Sequence, residues 1–121
     1  MPTGISAAGA NTALDAIRTD TPFVQLHVGD PGAAGTSNVA TETTRKAVTF
    51  GAASGGSMTN SAQVQWTNIA GSQDATHFSI WNASSAGTFK MSGTITANAY
   101  TAGDTYTAAI SAITLTISVA S

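Results

Sequence analysis

The chain has 121 residues, no cysteine, four basic and six acidic side chains, and a formal net charge of −2. That length fits one domain, and the missing cysteines exclude disulfides, thiolate catalysis and thiolate metal sites. Charged residues make up 8% of the chain, against about 25% in ordinary soluble domains, and four cations are too few for sequence-independent binding of DNA or RNA.

Residues 6–18 are the one segment with helical spacing. Asn11 or Thr12 is the expected cap, Leu14 and Ile17 share a face, and Asp15 falls in the first turn, where the helix dipole favours an anion. The segment is short and alanine-rich, so it needs tertiary packing to persist. Thr21-Pro22 ends it, because the residue before a proline is pushed towards extended geometry.

Residues 23–28 then alternate, with Val24, Leu26 and Val28 on one side and Phe23, Gln25 and His27 on the other. Gly29-Asp30-Pro31-Gly32 opens a turn-rich loop that runs through Glu42-Thr43-Thr44. A strand is expected over residues 46–50, followed by a glycine-rich reversal over 51–56 in which Gly55-Gly56-Ser57-Met58 reads as a turn. Further strands are predicted at 62–66, 76–81, 89–97, 105–110 and 113–119. In the later ones Phe89, Met91, Gly93 and Ile95 oppose Lys90, Ser92 and Thr94, while Ile113, Leu115, Ile117 and Val119 oppose Thr114, Thr116 and Ser118. The outward side chains are hydroxyls where lysine and glutamate are usual; alanine, serine and threonine make up 56 of the 121 residues. About seven short strands without helical crossovers predict an all-β fold: an antiparallel β-sandwich, jelly-roll- or Ig-like, with one short N-terminal helix. Residues 1–22 form an arm and helix and residues 23–121 the sandwich, within a single domain overall.

The chemistry-bearing side chains are scattered. His27 with Asp30, and His77 with Asp74, could hold zinc or iron only if the fold joined them. Neither histidine has a ligand at i+2 or i+4, so hydrogen-bonded strand histidines are expected. Gly-Xaa-Ser-Xaa-Gly is absent, no carboxylate pair is placed for glycosidase work, and neither glycine-rich loop leads into a lysine and a helix. Asn82-Ala83-Ser84 matches a glycosylation acceptor but reads as a turn. Trp66 shares the parity of Val64 and belongs to the core. Trp81 shares the parity of His77 and Ser79, which points it outward, and Tyr100 lies near a strand end; an exposed tryptophan anchors protein contacts or stacks on sugars. No catalytic residue, cofactor or metal is expected. No run of about 18 apolar residues is present, which excludes a spanning helix, and the amino terminus lacks the features of a signal peptide. The expected place of synthesis is therefore the cytoplasm of the producing cell.

Three segments resemble a family of small virion proteins of tailed bacteriophages, known as tail-fibre-like, minor tail or minor capsid proteins. They are Leu26-His27-Val28-Gly29-Asp30-Pro31-Gly32 through Thr36, Arg45-Lys46-Ala47-Val48-Thr49-Phe50 through Gly56, and Thr76-His77-Phe78-Ser79-Ile80-Trp81-Asn82-Ala83. Arg45-Lys46 departs from the aromatic-arginine pair of the family. The resemblance implies a non-enzymatic structural protein located in the virion. The main expectation is a capsid decoration or minor capsid protein on the capsid surface, a homotrimer that binds the major capsid protein and itself and stabilises the head. The alternative is a minor tail or tail-fibre subunit that contributes to host attachment, with His77, Trp81 and Tyr100 lining a platform for a host surface glycan. Expected contact residues are Ile5, Leu14 and Arg18 in the amino-terminal segment, Asp30 and Pro31 in the loop, Arg45 and Lys46 at its end, and Trp81 and Tyr100.

Overall fold

A computed structural model describes residues 4–120, with residues 96–98 as backbone. In chain order the elements are α1 (Ala7–Arg18), β1 (Phe23–His27), β2 (Lys46–Ala47), β3 (Ser57–Thr59), β4 (Val64–Trp66), β5 (Gln73–Trp81), β6 (Phe89–Tyr100), β7 (Tyr106–Ala108) and β8 (Thr114–Thr116). They form a four-stranded sheet in the order β2-β1-β5-β6 and two small sheets, β3-β8 and β4-β7. Every pairing among these eight strands is antiparallel, and an isolated bridge from Ile5 to Val119 is parallel. The fold is all-β and sandwich-like, with one short helix.

Alternation explains the core. Val24, Leu26, Phe78, Ile80 and Ile95 bury one face of the large sheet. Met58 opposite Leu115 and Val64 opposite Ala108 supply the facing layer, with Trp66 edge-to-face on Tyr106 at 5.7 Å. Ser92, Thr94, Thr114 and Thr116 stay exposed, as the period of two requires. Gly93 permits the layers to meet, since a Cβ there would lie 2.8 Å from the Phe78 ring and 3.3 Å from the Thr114 carbonyl oxygen. Register shifts near Ala75 and Ile80 put bulges into the β5–β6 pair.

The helix starts earlier than its capping signals suggested. Ser6 is the N-cap and its hydroxyl accepts from the Gly9 N–H at 3.0 Å. The Asn11 side chain instead accepts from Gly56 N at 2.9 Å, and Thr12 donates to the Ala8 carbonyl. Asp15 sits late in the helix, where it accepts from Arg18 at 2.7 Å and from Ala53 N at 3.1 Å. These bonds, with Leu14 in the core, fix α1 against the glycine-rich segment before β3. Thr21 is left-handed, with φ 49°, where an extended pre-proline residue was expected; the four residues 19–22 must turn the chain from helix into β1.

Residues 57–59 form a strand where the sequence suggested a turn. Only Gly55 and Gly56 turn, and Met58 then pairs across to Leu115. The strand expected over 46–50 pairs with β1 for two residues alone, because Val48 N bonds to the Pro22 carbonyl and Phe50 pairs with Asn60.

Candidate functional site

The second face of the large sheet carries the polar residues of β1 and β5 in register: Gln25 opposite Ser79, and His27 opposite His77. β6 continues the rows with Ser92 beside Ser79 and Thr94 beside His77. Alternation predicts that this face meets water. Instead His27 and Ser79 are 0% exposed and Gln25 is buried, because the loop over residues 29–45 folds back across them.

Four contacts hold the loop there. Gly35, in the left-handed region at φ 72°, lies so close to Phe89 that a Cβ would come within 2.5 Å of its ring. The Ser37 carbonyl meets His27 Nδ1 at 2.8 Å. Glu42, buried, accepts from Ala70 N at 3.0 Å and Thr44 N at 3.2 Å. Arg45 donates to the Gln25 side chain and to the Ala83 and Ala86 carbonyls, with its guanidinium carbon 4.0 Å from the Trp81 ring centre. Thr41 adds two bonds to Gln73, and Trp66 Nε1 donates to the Thr44 carbonyl.

At the centre is a relay whose proton order follows from its ends. Trp81 Nε1, a donor only, gives its proton to Ser79 Oγ at 2.8 Å. The Ser79 hydroxyl then donates to His27 Nε2 at 2.7 Å, and His27 Nδ1–H donates to the Ser37 carbonyl. That assignment makes His27 the neutral Nδ1–H tautomer. The Ser79–His27 separation is that of a nucleophile and its base, and no local pattern announces it, since the partners are 52 positions apart. Both side chains are sealed from solvent, so a substrate has no access to them in this conformation.

Electrostatics agree with a closed face. Burial pulls His27 below the ordinary histidine range, and the charge of His77 opposite adds to this against the Ser37 and Asn38 carbonyls. Burial pushes Glu42 up, but the Ala70 and Thr44 donors with Lys46 outweigh it and hold the carboxyl below its usual value. Both ring nitrogens of His27 are committed, and among the described residues no group of three or more histidine and carboxylate side chains could hold a metal.

The expected contact residues divide in two. Ile5, Arg18, Asp30, Arg45 and Lys46 keep exposed or half-exposed side chains. Leu14 and Pro31 are fully buried, so their side chains present no surface. Trp81, expected to face outward, is 8% exposed, and Tyr100 is buried edge-to-face on Tyr106 at 5.4 Å. Loop coverage and the β4–β7 layer account for both, and with them the sugar platform of His77, Trp81 and Tyr100 is closed. Arg45 and Trp81 are brought into contact with each other.

A hydroxyl-rich exterior and a sheet face closed by its own loop define a small β-sandwich module. Residues 4–116 match the model of a family described as podophage GP4 fiber I protein gp80. The chain belongs to this family, and so to the tail-fibre-like structural proteins of the phage virion. None of the curated proteins matches the chain. The segments that resemble phage virion proteins meet in the structure: they supply His27 and Gly35, then Arg45, then Ser79 and Trp81. No helix among the described residues is long and apolar enough to cross a membrane.

Proposed function

We propose that the protein is a tail-fibre subunit that contributes to host attachment without catalysing a reaction. The observation that carries this is the match of residues 4–116 to a fibre-protein family, which favours the tail over the capsid surface. The exterior supports the reading. Ser92 and Thr94 on the large sheet, and Thr114 and Thr116 on the facing layer, are exposed hydroxyls, suited to association with copies of the chain because a hydroxyl contact desolvates no ion. Several weak contacts of this kind add up in a multi-copy structure. Such a subunit self-associates into a closed symmetric oligomer, a homotrimer in this reading.

Immunogold labelling of particles, combined with counting copies per virion, tests the reading. Label at the tail and a small copy number are expected. Label over the head with hundreds of copies would replace it with a decoration protein on the major capsid protein. Sedimentation of the isolated chain tests self-association, which a monomer at all concentrations would rule out.

A further inference from the structure

The relay through His27 holds only the tip of the loop, and this gives the tip a separate way to open. Val39 and Ala40 stay paired to β1 through the His27–Val39 bridge and the Ala40 N to Leu26 carbonyl bond. Residues 41–45 are held by Gln73, Glu42 and Arg45. Residues 29–37 rest on the sheet through Gly35 on Phe89 and the Ser37 carbonyl on His27.

A second proton costs the relay the bond that Ser79 donates to His27. Were Nε2 protonated, Ser79 Oγ would face two donors, Trp81 Nε1 and His27 Nε2, while its own proton lost its acceptor. The imidazolium would also be buried without a counter-charge. On β1 it has Gln25 as neighbour; on β5 it has His77, Ser79 and Trp81; on β6 the row ends in Thr94. The loop presents Ser37 and Asn38 to the ring. Its nearest carboxylate in sequence, Asp30, is exposed and accepts from Gly32 N, and Arg45, further along this face, is itself a cation.

We propose that His27, Ser79 and Ser37 form an acid-sensitive latch, in which protonation of His27 breaks the bond it accepts from Ser79 and leaves a charge buried without a counter-ion. That charge is relieved when residues 29–37 lift from the sheet and admit water, against the Nδ1–H bond to the Ser37 carbonyl that the charge strengthens. Opening uncovers Phe89, His27 and Ser79 while β1 stays paired. Because burial and His77 oppose the added proton, the latch opens on the acid side of the ordinary histidine range.

Hydrogen exchange of the full-length protein, corrected for intrinsic pH dependence, tests this between pH 7.5 and 4.5, alongside nitrogen-15 spectra of the His27 ring. The expected result is the Nδ1–H tautomer at neutral pH. As His27 takes up its second proton, protection over residues 29–37 should fall at least tenfold and β3 and β8 should keep theirs. His77→Asn should move the midpoint to higher pH, and His27→Asn, if it folds, should make loop protection independent of pH. Three results would each overturn the proposal: loop protection that stays flat while His27 is seen to charge, a ring that stays neutral until the molecule unfolds, or loss of protection in all strands together.

Discussion

The guanidinium of Arg45 packs over the ring of Trp81, its central carbon 4.0 Å from the ring centre. The same group donates to Gln25, Ala83 and Ala86, so one side chain ties the end of the loop to β1 and to the turn after β5. A lysine supplies charge without the planar fork. Arg45→Ala should therefore cost about 2 kcal/mol, and Arg45→Lys should recover less than half of it, as read from urea midpoints. A double-mutant cycle with Trp81→Phe should give a coupling of about 0.5–1 kcal/mol. Strict additivity would remove the cation–π contact from the account.

Asn60 is the most heavily bonded polar side chain in the interior. Fully buried, it donates to the Ala62 and Ala109 carbonyls and accepts from Ile113 N, each at 2.9 Å. Its backbone also bonds to Ile113 and Ser111, so it pins the β7–β8 turn, which carries Ile110 at 63% exposure. Asn60→Ala strands the buried Ile113 N–H and removes the donors to two partly buried carbonyls, and should cost about 3 kcal/mol. Ile110→Ser, on the exposed side of the same turn, should leave stability within about 0.5 kcal/mol. Equal losses from the two changes would contradict this division.

The cap position makes a sharper test of the helix. Ser6→Ala should cost about 1 kcal/mol, since it frees the Gly9 N–H. Thr12→Ala should be neutral or slightly stabilising, because its hydroxyl only bonds back to the Ala8 carbonyl. The reverse ordering in thermal denaturation would restore the later start.

Much of the architecture was legible because alternation is local. Leu115 between Thr114 and Thr116 announces its burial without knowledge of any partner, and the same holds for Val24 and Leu26. What was hidden depends on distant chain. Trp81 has the parity of an outward residue and is buried because a loop that starts some fifty residues earlier returns to its face. His27 finds acceptor and donor at positions 37 and 79, and Asn60 finds its partners near 109 and 113. The strand over Ser57–Thr59 was masked by the two glycines before it, which dominate any local reading of that stretch. Parity says which residues share a face, and only the path of the loop decides whether that face meets water.

Tyr100 shows the same limit from the other side. Its hydroxyl is buried and has no hydrogen-bond partner among the described residues. Burial raises its proton affinity, and the carboxylates of Glu42 and Asp74 add to the rise. Removing an unpaired buried hydroxyl relieves a desolvation cost, so Tyr100→Phe should hold or raise the urea midpoint. A loss beyond about 1 kcal/mol would mean that the hydroxyl is paired in solution.

The pH dependence of stability brings these groups together. Glu42 has a folded-state proton affinity below its ordinary value of 4.5, so the unfolded chain takes up the proton first. Its contribution is full above that value and is lost as pH falls through the folded one. His27, depressed below 6.5, has the same sign in a higher window, with losses beginning as pH drops past 6.5. Tyr100 and Tyr106, both raised above 10.0 by burial, have the opposite sign: their contribution is full below that value and is lost as pH rises through the folded ones. Urea midpoints should therefore be level between about pH 7 and 9.5 and fall on both sides. The acid limb should come in two stages, and Glu42→Gln should lower the plateau while flattening only the stage below 4.5. Midpoints that stay constant from pH 7 to 4 would show that neither buried group is held in its neutral-pH charge state by the fold.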